Sequence, residues 1–430
     1  MSDTPNLGFV RHEPIPPSPP PVQQAGAVKW VRENLFSNWI NSILTILSIY
    51  FVVKIILAST PWMWNGVWTT SSLRECREVL QGTSGACWSV LTERWNQMLF
   101  GFQYPVEAYW RPTLAFVLLL VCIAPVLFQK LPRKMLIFSA IYPFLAFWLI
   151  WGGTLLTPVI VGLSLIAGYM AFVKTERLIG FATGLLSGVV AVALVLYLGS
   201  FVTAALSGFI ALEPVASRDM GGFMLNLILG TVCVSLSIPL GIVLALGRQS
   251  NMPIIKGICV VFIEFIRGVP LITLLFVANV VLSYFFPPGT NLDLILRVII
   301  MITLFSAAYI AEVIRGGLAA LPRGQYEAAD SLGLDYPQAM RLIILPQALK
   351  ISIPGIVNVA VGLFKDTTLV SVISMFDLVG MIRGPISSST AWTGIYWELY
   401  LFAILLFFVV CYGISQYSQW LERQLRTDHH

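Results

Sequence analysis

Apolar runs long enough to cross a lipid bilayer recur along this 430-residue chain. A helix needs about 20 such residues to span a hydrocarbon layer of ~30 Å. The chain is 57% hydrophobic and 11% charged, whereas about one residue in four is charged in soluble domains. The runs do not alternate as the strands of a membrane barrel would. The sequence therefore predicts an all-helical integral membrane protein.

Ten apolar segments are candidate spans, so the predicted fold class is an all-α integral membrane protein with about ten transmembrane helices. They cover roughly residues 37–58, 112–129, 135–151, 154–173, 178–199, 222–246, 258–286, 292–313, 352–375 and 396–420. Two of them meet at Gly152 and Gly153 and together form 39 residues, which fit either a tight hairpin or one span with an interfacial segment. Eight or nine spans therefore remain possible.

The basic residues predict the orientation of these spans. If the short loop with Lys130, Arg133 and Lys134 is cytoplasmic, an even number of spans places both termini in the cytoplasm. Of the 26 Lys and Arg residues, 17 then lie inside, seven outside and two, Lys54 and Lys365, within spans. This excess follows the positive-inside rule. Because the basic residues are spread between spans rather than gathered on one face, no nucleic-acid partner is expected.

The chain divides near residue 221 by its polar content. Residues 1–36 are expected to be a disordered cytoplasmic tail, and residues 37–220 an extension of about five helices with a large periplasmic loop at 59–111. Residues 221–425 hold the last five helices and most of the intramembrane charge. The loop at 59–111 contains Cys76 and Cys87, and because a periplasm is oxidising we hypothesise a disulfide between them. The other four cysteines lie in apolar spans and are interpreted as packing residues.

The segment 315–350 is too polar to span a membrane and too well patterned to be disordered. It contains Glu327, Ala328 and Ala329, then three residues, Gly333, nine residues, Ile343, one residue, and Leu345-Pro346. We predict a first helix ending at Gly333, a second opened by Asp335 and Pro337, and a break at Pro346. The alanines leave the first helix thin enough for a partner to approach.

Three pairs of charged residues lie in or beside the later spans, where charge is costly and marks a functional path or an ion pair. They are Lys365 with Asp366, Glu264 with Arg267, and Glu312 with Arg315. Lys365 and Asp366 are candidates for the translocation path, with an interhelical or intersubunit pair as the alternative. Glu264 and Arg267 suit a cytoplasmic gate or a structural ion pair. Glu312 and Arg315 are expected to orient the 327–346 loop.

The chain has no phosphate-binding loop of the type G-x-x-x-x-G-K-[ST], so we expect it not to hydrolyse ATP itself. Its three histidines, His12, His429 and His430, lie in the tails, so no His-based metal site is expected in the membrane. A transport function therefore requires energy from a partner or from an ion gradient.

The spacing in the 327–346 loop resembles the EAA loop of the membrane subunits of type I ATP-binding cassette (ABC) importers. Further stretches resemble the polar amino acid permease branch: Glu264-Phe265-Ile266-Arg267-Gly268, Glu312-Val313-Ile314-Arg315-Gly316-Gly317, and Lys365-Asp366-Thr367-Thr368-Leu369. Five extra N-terminal spans are similar to the M-type permease subunit of general L-amino-acid importers. Val269 and Thr368 depart from the Thr and Ser expected of the branch.

The resemblance implies that residues 221–425 form a type I importer core in a bacterial inner membrane. It assigns docking on an ATPase subunit to Glu327, Ala328, Ala329 and Gly333. It also implies ATP and Mg in that ATPase, a second permease subunit, a periplasmic amino-acid-binding protein, and lipid around the spans. Two alternatives need no such assembly: an ion-coupled secondary amino acid transporter, and a membrane scaffold that recruits a soluble partner.

Overall fold

The computed structural model describes residues 26–128, 130–285 and 292–425, and almost all of its regular structure is helical. The helices are α1 Gly26–Asn34, α2 Trp39–Trp64, α3 Leu73–Leu80, α4 Ser89–Phe100, α5 Trp110–Leu127, α6 Met135–Trp151, α7 Leu156–Leu178, α8 Phe181–Ala205, α9 Gly222–Gln249, α10 Pro253–Gly268, α11 Leu271–Phe276, α12 Leu282–Tyr284, α13 Leu294–Ala319, α14 Arg323–Ser331, α15 Tyr336–Ala339, α16 Leu345–Asp366, α17 Leu378–Met381 and α18 Trp397–Leu425. Two strands, β1 Gly153–Thr154 and β2 Ala211–Leu212, pair antiparallel.

The predicted all-α membrane fold is confirmed. Within the described residues, eight helical stretches are long and apolar enough to cross a membrane: Trp39–Trp64, Val106–Leu127, Leu156–Leu178, Phe181–Ala205, Gly222–Gln249, Leu294–Ala319, Tyr336–Ile373 and Trp397–Gln424. A broken pair, α10 with the stretch Leu271–Val281, makes a possible ninth, and α6 is a shorter apolar helix. Each of the ten predicted segments therefore corresponds to an apolar helix or helix pair.

The seventh segment, predicted as one span over 258–286, is instead two arms bent by 102°. Pro270 causes the break, because it has no N–H to donate and it disfavours helical backbone at the residue before it. Val269 accordingly has extended backbone, with φ −104° and ψ 131°. Residue 286, the last of that predicted segment, lies outside the described residues.

Gly152 and Gly153 separate α6 from α7, so the 39-residue apolar stretch forms two helices. Both glycines have positive φ, 75° and 81°, which favours glycine strongly. A Cβ on Gly152 would also collide with the carbonyl oxygen of Glu213. The chain is held there by the pairing of Gly153 with Leu212.

The chain forms two compact units, one holding α1, α2 and residues 77–87. In this unit the Ala86 N–H donates to the Trp62 carbonyl and the Val67 N–H donates to the Ala86 carbonyl, both at 2.8 Å. Part of the predicted disordered tail is helical, because α1 occupies residues 26–34. Residues 1–25, the rest of that tail, lie outside the described residues.

The other unit holds residues 68–76 and the chain from Trp88 onward. Its apolar core combines residues from before and after position 221, such as Phe100 and Leu149 with Met224 and Leu229. The extension and the later spans therefore share one packed interior within this unit.

Small residues let α9, α13 and α16 approach closely. A Cβ on Gly241 would collide with Ile310, and a Cβ on Gly317 would collide with the Ser352 hydroxyl. Membrane helices pack without a hydrophobic driving force between them, so close backbone approach at small residues supplies much of their attraction. Gly317 fixes the end of α13, from which the 327–346 loop emerges.

Candidate functional site

The first helix of the 327–346 loop, α14, ends in a hydrogen-bonded cap centred on Gly333. The Gly333 N–H donates to the Asp330 carbonyl (2.9 Å), and the Leu334 N–H donates to the Ala329 carbonyl (3.2 Å). With φ +70° at Gly333, this is a Schellman motif, which ends a helix in a fixed direction. The turn predicted at Gly333 is confirmed.

The second helix of the loop begins as predicted but does not break at Pro346. The Asp335 carboxylate accepts from the Gln338 N–H at 2.9 Å and caps α15. A π-helical turn over Met340–Ile344 then joins α15 to α16, so Tyr336–Ile373 is one continuous helical stretch. The predicted break was wrong because a widened turn accommodates a residue that has no N–H to donate.

The loop presents only part of its predicted docking set to the outside. Glu327, Ala328 and Gly333 are exposed, whereas Ala329 is fully buried in this chain alone. Ala329 therefore faces the interior of the chain, and its docking on a partner stays a prediction. The two helices are joined by a hydrogen bond from Gln347 Nε2 to Gln325 Oε1 at 2.9 Å.

Sequence reasoning missed three apolar side chains on the outer surface of this loop. Leu332, Tyr336 and Leu342 are 72%, 60% and 65% exposed. Large apolar side chains in a polar loop were the signal that could have found them, since contiguous exposed apolar surface marks interaction sites. Glu327 and Ala328 are exposed on the same loop.

A cluster of five charged side chains lies where α9, α10 and α13 meet. Glu312 is at its centre: Oε2 lies 3.1 Å from Arg248 Nη1 and 3.9 Å from Arg267 Nη1, while Oε1 accepts from Arg315. The predicted pairing of Glu312 with Arg315 is therefore present. One half-buried carboxylate balances three guanidinium groups, which ties the loop-bearing helix α13 to α9 and α10.

Glu264 and Arg267 do not form the direct pair suggested by their spacing on one face of α10. Glu264 Oε1 instead accepts from Arg248 Nη1 on the neighbouring helix at 2.8 Å. The Arg267 guanidinium lies 5.4 Å from the centre of the Tyr309 ring, a cation–π distance. Arg248 was missed because its partners are distant in sequence, although it directly follows Leu246-Gly247 at the end of a span.

Lys365 and Asp366 lie at the end of α16, where the helix tightens into a 3-10 segment over Thr367–Ile373. Lys365 is exposed and Asp366 is half-buried. Neither forms an ion pair within the described part of the chain. The cationic and anionic groups are therefore both available to a ligand or to a neighbouring subunit.

A buried polar node lies directly after this pair, and sequence reasoning missed it. Asn226 Nδ2 donates to Thr367 Oγ1 (2.9 Å) and to Asp377 Oδ2 (3.1 Å), and all three residues are fully buried. The Asp377 carboxylate also accepts from the N–H groups of Val379 and Gly380. Burial raises the pKa of the Asp377 carboxyl to about 6. The node joins the first helix of the second half to the end of the Lys365–Asp366 segment.

Two backbone hydrogen bonds hold the start of α9 beside this node. The Gly222 N–H donates to the Phe376 carbonyl at 2.7 Å, and the Gly221 N–H donates to the Phe100 carbonyl at 3.2 Å. Gly222 has φ +60°, and a Cβ there would collide with the Met98 carbonyl. The end of α4, from the N-terminal extension, therefore packs directly on the start of the second half.

Cys76 and Cys87 are disulfide-bonded, and Cys122, Cys233, Cys259 and Cys411 are free. The four free thiols lie in α5, α9, α10 and α18. Across the described ranges, no group of three His, Cys, Asp or Glu side chains is arranged to hold a metal ion.

Comparison with known proteins extends over the whole chain. A sequence profile described as "Binding-protein-dependent transport system inner membrane component" matches residues 237–427. The chain is 52% identical to the glutamate/glutamine/aspartate/asparagine transport system permease protein BztC of Rhodobacter capsulatus, with 100% of both chains covered. It is 39% identical to the inner membrane amino-acid ABC transporter permease protein YhdY of Escherichia coli, with 96% of each covered.

A solved structure described as "Crystal structure of an amino acid ABC transporter with histidines" is 32% identical to the chain. It covers 47% of this chain and 92% of that chain, with a TM-score of 0.42. The two curated relatives match the chain over nearly its whole length, so they include the N-terminal extension. The chain thus belongs to the amino acid ABC transporter permeases, the binding-protein-dependent inner membrane components of these systems.

Proposed function

We propose that this permease subunit forms a translocation path with a second permease subunit and receives its energy from a separate ATPase docked on the 327–346 loop. That ATPase would bind ATP and Mg, and a periplasmic binding protein would deliver the amino acid. The capped helical hairpin around Gly333, with Glu327 and Ala328 exposed, is the observation that carries this proposal. A transporter driven by an ion gradient would have no use for it.

The loop is suited to transmit movement because both of its ends are fixed. It leaves α13 where Gly317 packs closely against α16, and it returns into α16 without a break. The charged cluster around Glu312 holds α13 from the other side. A displacement of the loop by an ATPase would therefore move α13 and α16 together, as rigid packed elements do in two-state transitions.

Gly333→Val is expected to lower amino-acid-stimulated ATP hydrolysis by the assembled complex at least severalfold. The positive φ at Gly333 costs about 1–2 kcal/mol for an L-residue, so valine would redirect the loop although nothing lies within 4 Å of its Cβ position. Gly257→Val in α10 is the matched control, because Gly257 has equal space and an ordinary helical φ. Equal ATP hydrolysis by both variants would contradict a role for the loop geometry.

We propose that Lys365 and Asp366 contact the amino acid in the path. One cationic and one anionic group complement the carboxylate and ammonium of such a ligand, and neither is neutralised by an ion pair in the described part of the chain. Glutamate, glutamine, aspartate and asparagine are the first ligands to test, since the 52% identical relative is described as transporting them.

Lys365→Met is expected to raise the KM for uptake about tenfold, the value of one lost charge-assisted hydrogen bond. Asp366→Asn should also raise the KM for uptake, because it removes the negative charge that would bind the ammonium group of the same amino acid. Lys256→Met, which removes an exposed lysine on α10, should leave uptake unchanged. Unaltered KM values for both path variants would disprove ligand contact, and loss of the second permease from the purified complex would indicate an intersubunit pair instead.

We further propose that both termini and the 327–346 loop are cytoplasmic and that the loop at 59–111 is periplasmic. The inside excess of Lys and Arg supports this orientation, as does the presence of disulfide-bonded cysteines at positions 76 and 87 in the outer loop. We place the boundary of the importer core at residue 221, where the Gly221-Gly222 turn opens α9, with residues 221–425 forming five spans. The profile match over 237–427 supports this division.

A further inference from the structure

We infer that helix α1 lies flat in the headgroup region of the bilayer and binds lipid phosphate through Arg32. The helix covers Gly26–Asn34 and precedes the first span α2. At about 100° per residue, Val28, Val31 and Leu35 fall on one face. Lys29 and Glu33 fall on the opposite face, and Arg32 lies at the boundary. This separation of apolar and charged faces is typical of helices that rest in a membrane interface.

The chain holds α1 at the level of the membrane surface. Only four residues separate it from Trp39, the first residue of α2, and such a linker reaches less than about 18 Å even when extended. The Thr45 hydroxyl, in the second turn of α2, donates to the Leu35 carbonyl at 2.7 Å. The C-terminal end of α1 is therefore held beside the first two turns of a membrane span, which keeps the helix close to the membrane surface.

The apolar face of α1 is uncovered. No residue of the helix is buried, and Val28 and Val31 on this face are 54% and 38% exposed. A helix fixed at this depth has lipid as its neighbour, and burying apolar surface in the headgroup and acyl boundary is favourable in proportion to area. Trp30 lies off this face, on the side of Glu33, and is 58% exposed; tryptophan is a residue type that concentrates at membrane interfaces.

Of the charged side chains on α1, Arg32 is the one suited to bind the lipid phosphate. Lys29 Nζ lies 3.8 Å from Glu33 Oε1, so that pair is largely neutralised within the helix. Arg32 forms no ion pair in the described part of the chain. A guanidinium at the edge of the apolar face can extend to the phosphate layer and bind two of its oxygens. Anionic lipids would strengthen this contact, and neutral phospholipids offer the same phosphate.

The full chain reconstituted in vesicles tests the placement. A nitroxide label is attached to Val28→Cys on the apolar face or to Glu33→Cys on the opposite face, and collisions with oxygen and with a water-soluble nickel complex are measured. The ratio of oxygen to nickel collisions should be severalfold higher at position 28 than at position 33. Equal ratios with strong nickel collisions would place α1 in water, and low collision rates with both reagents at position 28 would indicate packing on protein. Either result would overturn the inference.

The phosphate contact is tested with Arg32→Gln in the Val28→Cys background. Compared with the parent, Arg32→Gln should lower the ratio of oxygen to nickel collisions at position 28 in vesicles of phosphatidylcholine. The decrease should be larger in vesicles that also contain phosphatidylglycerol. Lys29→Gln is the control, because Lys29 is already paired with Glu33, and it should change the ratio less. An Arg32→Gln ratio equal to that of the parent in both lipids would exclude phosphate binding by Arg32. Since the readout is depth and not transport, it is independent of the proposed coupling and path residues.

Discussion

Glu312→Ala is expected to be the most damaging single substitution in the charged cluster. It would leave Arg248, Arg267 and Arg315 without the carboxylate that all three share. Removing the shared partner of this half-buried cluster should cost between about 1 kcal/mol, the value of an exposed pair, and about 3 kcal/mol, the value of a buried one, because the remaining charges are incompletely solvated and repel one another. We expect a lowered thermal unfolding temperature of the purified chain and at least a tenfold loss of uptake, since α13, which carries the 327–346 loop, would lose its ties to α9 and α10.

Glu264→Ala provides the matched control within the same cluster. Its carboxylate is 54% exposed and, among the described residues, forms a direct ion pair with Arg248, and exposed pairs are worth no more than about 1 kcal/mol. Arg248 would still be neutralised by Glu312. A Glu264→Ala variant as unstable as Glu312→Ala would show that the cluster is not centred on Glu312.

The local features of the 327–346 loop could be predicted because they depend on neighbours in sequence. Gly333 ends α14 and Asp335 caps α15 through hydrogen bonds that reach only three to five residues. The position of the spans was also predictable, since each apolar run must bury its backbone polar groups in a helix wherever it crosses lipid. The pairing of Glu312 with Arg315 follows from one turn of helix.

The contacts between helices could not be predicted in the same way. Arg248 meets Glu264 and Glu312 because α9, α10 and α13 pack together, and a single sequence carries no record of that packing. Ala329 and Ala328 are adjacent and chemically identical, yet one is buried and the other exposed, because the hairpin folds back on one face of α14. Pro346 predicts a helix break because it has no N–H to donate, but the π-helical turn before it accommodates the proline without a break.

The buried node of Asn226, Thr367 and Asp377 is the clearest example of a feature that sequence patterns could not predict. Asn226 and Asp377 are 151 positions apart and hydrogen-bond at 3.1 Å. Asp377→Ala would leave the N–H groups of Val379 and Gly380 without their acceptor in a buried site. Each such loss costs about 1–3 kcal/mol, so we expect a clear fall in unfolding temperature. Uptake should fall as well, because Thr367 and the Lys365–Asp366 segment would lose their anchor to α9.

The pH dependence of this variant follows from the pKa of Asp377. Burial raises that pKa to about 6 from an ordinary value of 3.8, so the folded state favours the protonated carboxyl. The resulting stabilisation is fully present below about pH 4 and is lost as the pH rises through about 6. The difference in unfolding temperature between the parent and Asp377→Ala should therefore shrink between pH 5 and pH 7. A difference that widens over this range would contradict the raised pKa.

A double-mutant cycle separates the node from an ordinary helix cap. Asp293 also caps a helix, accepting from the N–H of Ile295 at 2.9 Å, but it is exposed and has no contact with Asn226. Asp293→Ala should cost about 1 kcal/mol and should add independently to Asn226→Ala. Asp377→Ala and Asn226→Ala should instead be non-additive by about 1 kcal/mol or more, as expected for residues in one hydrogen-bonded network. Additive effects would mean that Asn226 and Asp377 stabilise the start of α9 and the loop before α17 separately, and the node would then not link them.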